Sequence, residues 1–282
     1  MSTANGGWEL PISEGELSRL TRELDEAHRE YLPAMHAAAV GLGEELRTGQ
    51  PTAAAARELS VASRRRFLVG AGGVAAAFAL AACSSSGSSS TKSTSGATAG
   101  GAPMGGSASA SASSMYTGDL QVVALATALE NQAVGAYGAA LAAAKAGKLG
   151  TVPPAVATFA TTAMAQHADH AKAWNGVLTG AGKPAITTVP LTNQPATLKA
   201  LGAVTDVGGV AKLALELEQQ AAETYLFATY NVTSPAGIAT AASIAPVEAM
   251  HAAILNFVLG QYPVPDDFLP VDKAASPTLL TV

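Results

Sequence analysis

The chain has 282 residues, with 16 Lys and Arg against 21 Asp and Glu, a formal net charge of −5 and a single cysteine. Hydrophobic residues make up 49% of the chain and aromatic residues only 5%; much of the apolar fraction is alanine, which favours helix over sheet. One cysteine excludes a disulfide framework and a cysteine-based zinc site, and the mild acidity gives no reason to expect nucleic acid as a partner.

Residues 1–62 are predicted to form a helical extension whose role the sequence does not show. Ser13 and Glu16 have the spacing of a capping box, in which side chains satisfy free backbone N–H groups at the start of a helix. Apolar residues then recur at helical spacing among Glu and Arg: Leu17, Leu20, Leu24 and Tyr31. We therefore expect a soluble amphipathic helix over about 13–47, without a recognisable chemical motif.

Residues 63–83 have the layout of an export signal, with arginines, a short apolar run and then the only cysteine. The run 69–82 is uncharged but shorter than the roughly 20 residues of a comfortable membrane span. The sequence Ser-Arg-Arg-Arg-Phe-Leu-Val, which contains Arg64 and Arg65, resembles a twin-arginine signal, although the last position is usually Lys. The sequence Leu-Ala-Ala-Cys, ending at Cys83, resembles a lipobox, whose cysteine is lipidated and becomes the first mature residue.

These resemblances imply an exported protein that is lipid-anchored at the outer face of the cell membrane or in the periplasm. Its partners would be the membrane, through Cys83, and the twin-arginine export machinery. The length ahead of Arg64 leaves three alternatives: a start placed too early, an unusually long leader that is removed, or an uncleaved signal that keeps 1–62 in the cytoplasm. A further alternative is an ordinary buried apolar helix that ends in a chance cysteine.

A linker and a helical bundle are predicted for the rest of the chain. Residues 84–114 are Ser, Gly, Ala and Thr with almost no bulky side chain, which predicts a flexible tether. In the predicted domain 115–262, helical stretches occupy about 117–147, 154–180, 207–231 and 236–260. Only the connection 181–206 is long, and it contains three prolines. Short, long and short connections predict an all-α four-helix bundle with one long crossover between the second and third helices, followed by an irregular tail over 263–282.

Ionisable side chains are scarce after Cys83, and their placement is informative. This part of the chain has no arginine, and its three histidines and five glutamates all fall inside predicted helices. They are Glu130, His167, His170, Glu216, Glu218, Glu223, Glu248 and His251. A solvated surface would scatter glutamates over helix ends and loops, so this placement indicates a function within the bundle.

Two repeats relate the helices in pairs. The first and third helices contain Leu-Glu-Asn-Gln-Ala and Leu-Glu-Gln-Gln-Ala, with Glu130 and Glu218 as the glutamates and a Tyr seven residues after each. The second and fourth helices carry His-x-x-His at 167–170 and Glu-x-x-His at 248–251. Residues three apart share a helix face, so each of these pairs directs two donor groups at one place.

A bundle core that holds carboxylates and imidazoles is costly unless something compensates for it. A pair of divalent ions would do so, because metal ions take up both the lone pairs and the negative charge. The predicted ligands come from four successive helices: Glu130, His167, His170, Glu218, Glu248 and His251. Carboxylates with a few imidazoles suit iron or manganese, while zinc and copper stay open.

This arrangement resembles the ferritin-like superfamily, and specifically exported bacterial ferritin-like domain proteins. In that superfamily one Glu comes from each of two helices and a Glu-x-x-His from each of the other two. By resemblance, Glu130 and Glu218 take the single positions, Glu248–His251 forms one motif, and His170 is the histidine of the other. His167 stands where the pattern has Glu, so a neutral imidazole replaces a potentially bridging carboxylate, and two metals would be held less tightly or one site lost.

The resemblance implies metal-dependent chemistry: oxidation of ferrous ion, or disposal of oxygen or peroxide. The superfamily also contains storage proteins and members with no assigned activity, so the fold does not decide whether this chain is an enzyme. The alternative is a non-catalytic structural or binding lipoprotein whose metal site is degenerate or absent. Because of the predicted lipid tether, we expect a monomer or dimer rather than a closed cage.

The remaining polar side chains near these motifs have simpler interpretations. Tyr137 and Tyr225 are either hydrogen-bond donors to the metal ligands or core aromatics with a satisfied hydroxyl. Four further side chains are expected in solvent, because they lie on other helix faces or lack a ligand pattern around them: Glu216, Glu223, His28 and His36.

Overall fold

The computed structural model describes residues 8–50, 115–265 and 269–282. These ranges contain the α-helices α1 Glu14–Thr48, α2 Asp119–Lys145, α3 Pro154–Gly180, α4 Gln194–Ala203, α5 Val207–Asn231 and α6 Pro235–Val258, with a 3₁₀ helix at Pro277–Leu279. Five of the α-helices were predicted, and their observed ends differ from the predicted ones by two residues or fewer. The fold is an all-α bundle, as predicted.

The predicted export signal with Arg64 and Arg65, the lipidation site Cys83 and the predicted linker 84–114 lie outside the described residues. Export, lipid attachment and the linker therefore stay predictions from the sequence.

Local sequence explains where the helices begin and end. Ser13 caps α1 by accepting the backbone N–H of Glu16 at 3.1 Å, as the capping-box spacing predicts. Gly49 ends α1 in the left-handed region (φ 69°), where a side chain would be strained, and its N–H bonds to the carbonyl of Glu45. Pro154 opens α3 at a position where its missing N–H costs nothing.

Two antiparallel hairpins form the bundle. Helix α2 pairs with α3, α5 pairs with α6, and α2 also lies against α5. The crossover between α3 and α5 is not wholly irregular, because it contains the ten-residue helix α4, which contacts α2 and α5. Within the described ranges, buried apolar side chains form three clusters: one contains Ile244, a second contains Phe159, Leu215 and Leu255, and a third contains Leu125 and Leu129.

Helix α1 packs along α3 and α6. Its fully buried Leu17 and Leu42 lie near opposite ends of the helix, so that contact extends over most of its length. Near its start, Glu14 accepts the free backbone N–H of Ala155 in the first turn of α3. Near its end, Glu45 accepts a hydrogen bond from the hydroxyl group of Ser234, the N-cap residue of α6. The amphipathic helix is thus a fifth long helix of the folded domain.

The residues after α6 cover one face of α5. The backbone N–H of Lys273 donates to Glu223 at 2.6 Å, and the N–H of Ala275 donates to Thr224 at 2.8 Å. Glu223 is therefore buried, and the prediction that it is solvated was wrong. Helical periodicity shows which face of α5 a residue lies on, but it does not show that a non-helical segment covers that face. Glu216 is exposed, as predicted.

Among the described helices, α6 alone is long and apolar enough to cross a membrane by length and composition. It is also a core helix, since more than half of its most apolar stretch is buried, and it carries the ionisable side chains Glu248 and His251. Its apolar character is explained by burial within the bundle.

Candidate metal centre

Six ionisable side chains converge in the middle of the bundle. Glu130 comes from α2, Glu218 from α5, and the remaining four come as pairs one turn apart from α3 and α6: His167, His170, Glu248 and His251. Each is at most 1% exposed. The structure therefore brings together all six residues that the sequence indicated.

The six side chains form two overlapping groups of four. Glu130, His167, His170 and Glu248 each offer a ligand atom, and these atoms lie within 4.8 Å of one another. The second group has the same property and consists of His167, Glu218, Glu248 and His251. Glu248 and His167 belong to both groups, so the cluster has the layout of two adjacent metal sites with shared residues.

His167 lies between the two single glutamates. Its Nδ1 is 2.7 Å from Glu130 Oε2, and its Nε2 is 3.1 Å from Glu218 Oε1. Both ring nitrogens thus face carboxylates, one on each side of the cluster. An imidazole at this central position connects the two halves of the site, where the superfamily pattern has a carboxylate.

His170 and His251 are oriented alike. The Nδ1 of His251 lies 3.2 Å from Glu218 Oε2 and 3.2 Å from Glu248 Oε2. The Nδ1 of His170 lies 2.9 Å from Glu248 Oε1 and 3.5 Å from Glu130 Oε1. In both rings Nδ1 faces the carboxylates, so Nε2 lies on the side of the ring away from them.

Both outward nitrogens have a partner that the sequence did not reveal. The Nε2 of His251 lies 2.8 Å from the side-chain oxygen of Gln166, and the Nε2 of His170 lies 3.3 Å from Nε2 of His28. His28 is only 5% exposed, so the prediction that it is a surface histidine was wrong. The contact joins residues 142 positions apart, and no local pattern could have indicated it.

The two tyrosines donate to the glutamates, as one of the two interpretations had it. Tyr137 donates to Glu218 Oε1 at 2.5 Å, and Tyr225 donates to Glu130 Oε1. Each Tyr thus bonds the Glu of the other repeat. The indole N–H of Trp174 donates to the Tyr225 hydroxyl at 2.8 Å. These bonds fix one oxygen of each single glutamate.

The electrostatics of the cluster favour the charged forms of Glu130 and Glu218 and of the three imidazoles. Burial alone would raise the pKa of Glu130, but His170 and His167 hold it at about 2. Burial alone would lower the pKa of His170, but Glu130 and Glu248 raise it to about 9. Glu248 and Glu218 likewise outweigh burial and raise the pKa of His167 well above its usual value, and Glu218 raises that of His251.

His28 has the opposite environment. Burial, followed by the nearby His170, lowers the pKa of His28 to about 4. A neutral imidazole carries one N–H donor and one acceptor nitrogen. His28 can therefore accept a hydrogen bond from His170.

The donor set and its orientation fit a divalent metal pair. His170 Nδ1 and Glu248 Oε1 are 2.9 Å apart, yet neither has a hydrogen-bond partner with acceptable alignment. Both atoms are buried, where an unsatisfied polar group costs about 1–3 kcal/mol. Carboxylate oxygens and imidazole nitrogens aimed at a common point are the ligands that iron and manganese take in such bundles.

A cavity of about 330 Å³ lies between α1 and α6, beside the cluster. Its lining includes the buried side chains of His28 and His170 and the exposed side chains of Tyr31 and Met250. It therefore extends from the protein surface to the outer side of one predicted ligand. Most of the other lining residues are apolar, including Leu32, Met35, Ile244 and Val247.

Comparison with known proteins gives one match. The family described as Ferritin-like domain matches residues 118–261, about half of the chain, from just before α2 to just beyond α6. All six cluster residues and both tyrosines lie within the match, whereas α1 lies outside it. Searches of curated proteins and of solved structures found no match.

Proposed function

Since the chain belongs to the ferritin-like domain family, we propose that its buried cluster binds two divalent ions, iron or manganese, and uses them to oxidise ferrous ion or to remove oxygen or peroxide. The observation that carries this proposal is the pair of overlapping ligand groups, which share Glu248 and His167 and are buried at the centre of the bundle. A redox-active metal pair would supply two electrons, one from each ion, so that the metals are oxidised while oxygen or peroxide is reduced.

The side chains of this chain would hold, orient and insulate the metals. Glu130 and His170 serve one side of the cluster, Glu218 and His251 serve the other, and Glu248 contributes to both. Tyr137 and Tyr225 keep one oxygen of each single glutamate fixed. Burial raises the pKa of both tyrosines well above its usual value, so their hydroxyls stay protonated and able to donate.

His167 supports a second candidate of a different class, a non-catalytic bundle without metal. Three protonated imidazoles would balance the charge of three carboxylates, and the raised pKa values of all three histidines favour their protonated forms. A neutral buried network of this kind can hold four helices together by itself. Protons and metal ions would then compete for the same nitrogens.

The first experiment measures metal content in the full chain, purified without chelator after iron and manganese have been supplied. Glu218→Gln removes one ligand charge with little change in shape. Glu216→Gln is the matched control, since Glu216 lies on the same helix but is exposed. About two metals per chain are expected in wild type and control, and fewer in the Glu218 variant.

Other outcomes separate the candidates. About one metal per chain would indicate that His167 has abolished one of the two sites. A folded chain without metal, unchanged in stability by chelator, would favour the non-catalytic bundle. The chain could also bind two metals but neither consume oxygen or peroxide nor oxidise added ferrous ion. That result would confirm metal binding but refute the proposed chemistry.

Export and lipid attachment at Cys83 stay predictions, and they concern α1 directly. The signal and lipobox motifs fall between α1 and the ferritin-like domain in the sequence. Cleavage before Cys83 would therefore remove α1 from the mature chain. Whether the signal is cleaved therefore decides whether α1 is part of the mature protein.

A further inference from the structure

The contact surface of α1 includes one imidazole among mostly apolar side chains. The buried residues of this helix are Leu17, Thr21, Leu24, His28, Met35, Ala39, Leu42, Gly43 and Glu45. At the position of His28 an apolar residue would satisfy packing alone, whereas an imidazole costs free energy unless its polar atoms are partnered. The partner found for it is Nε2 of His170, a predicted metal ligand.

The same arrangement occurs a second time in the molecule. His251 directs Nδ1 at the carboxylates and Nε2 at the side-chain oxygen of Gln166. His170 directs Nδ1 at the carboxylates and Nε2 at His28. Each histidine thus has one hydrogen-bonding partner at its outer nitrogen. For His251 that partner comes from the ferritin-like domain itself, but for His170 it comes from α1.

We propose that α1 is part of the metal centre, and that His28 is a positioning residue that accepts the Nε2–H of His170 and so orients Nδ1 toward the metal. An outer acceptor of this kind fixes the tautomer and the ring plane of a ligating histidine and raises its basicity. This inference rests on the proposed metal binding and adds a residue outside the stretch that matches the family.

Because a cavity lies beside His28, the residue that replaces His28 in a test variant must fill the space. Replacing His28 by Ala would enlarge a space that already measures about 330 Å³, and a water molecule there could accept the bond instead. His28→Leu fills the space and offers no acceptor. His28→Gln offers a side-chain oxygen, as Gln166 does for His251.

The test compares cobalt(II) binding by the full-length wild type, His28→Leu and His28→Gln, with His36→Leu as control. His36 lies on the same helix but is only partly buried. We expect His28→Leu to weaken affinity by about 10–100-fold and to shift the cobalt(II) absorption bands. His28→Gln should restore both toward wild type, and His36→Leu should leave both unchanged.

The metal-free chain gives a second readout. The Nε2–H of His170 should give a slowly exchanging proton NMR signal in wild type and in His28→Gln, and that signal should be lost in His28→Leu.

Two results would overturn the inference, and they are distinguishable. If wild type binds cobalt and His28→Leu has the same affinity and spectrum, His28 is only a packing residue, while the proposed metal binding stands. If neither wild type nor variants bind cobalt, iron or manganese, the proposed function fails and this inference fails with it.

Discussion

At the scale of single residues, His167 is the position at which this site differs from the superfamily pattern. Its two ring nitrogens contact Glu130 and Glu218, at the place where the superfamily pattern has a carboxylate. In the absence of metal, a fourth carboxylate at this position would repel Glu130, Glu218 and Glu248, whereas an imidazolium there attracts them. We therefore expect protons on the three imidazoles of the cluster to stabilise the metal-free protein, and a metal ion would have to displace them to bind.

This proton dependence predicts the pH profile of the metal-free chain. The pKa of His170 is raised from 6.5 to about 9, so its contribution to folding is complete below pH 6.5 and is lost as the pH rises through 9. The pKa directions of His167 and His251 act in the same sense. We expect the free energy of unfolding in chelator to fall by a few kcal/mol, to order of magnitude, between pH 6.5 and 9.

The metal-loaded chain should behave in the opposite way over the same range, because metal binds the neutral imidazoles and competition from protons weakens as the pH rises. Denaturant unfolding with and without chelator measures both profiles. On the acid side, Glu130, with its pKa lowered to about 2, contributes stability that is lost as the pH falls from 4.5 through 2. Identical alkaline profiles with and without chelator would contradict this account.

At the scale of secondary structure, α1 depends on a close backbone approach to α3. A Cβ built on Gly43 would lie 3.5 Å from the Cα atoms of both Gly180 and Val177. That separation leaves room for a methyl group but not for a larger side chain. A side chain larger than methyl at Gly43 or Gly180 would meet the backbone of the facing helix.

Gly43→Leu is therefore expected to push α1 away from α3, at a cost of about 1–3 kcal/mol in the free energy of unfolding. Hydrogen exchange should increase along α1 while the bundle helices stay protected. Gly15→Leu is the control, because it makes the same change at an exposed position of the same helix. Equal stability and equal exchange in the two variants would show that α1 does not depend on this contact.

At the scale of the whole molecule, the packing of α1 and the predicted lipobox lead to opposite expectations about whether the mature chain contains α1. Cleavage before Cys83 leaves a bundle without α1, and His170 would then lose its outer partner. Retention of residues 14–48 preserves the contact between His28 and His170. The intact mass of the mature protein distinguishes the chain that retains α1 from the chain that has lost it.

We expect metal-loaded protein isolated from its native cells to retain residues 14–48, because His28 holds a predicted ligand and the buried face of α1 would otherwise be exposed to water. Intact mass spectrometry with N-terminal sequencing provides the measurement. A lipidated chain that begins at Cys83 and still carries its metal would refute a role for α1 and establish the export prediction.

The sequence by itself determined the bundle and the six predicted ligands. Helical periodicity, glycine and proline breaks and the spacing of Glu and His are local properties, so they can be read along the chain. It also indicated Tyr137 and Tyr225 as candidate donors, since each follows a glutamate by two turns. It did not determine that each tyrosine bonds the glutamate of the other repeat, because that exchange depends on the antiparallel placement of α2 and α5.

Only the tertiary structure decided which outward-facing residues are covered. Glu223 is buried because a non-helical segment lies over its face of α5, and His28 is buried because α1 packs along the bundle. An amphipathic pattern shows that a helix has an apolar face but does not identify what that face contacts. The partners of His28 and Glu223 lie far away in the sequence, and only the packing of the helices and the segment after α6 brought them together.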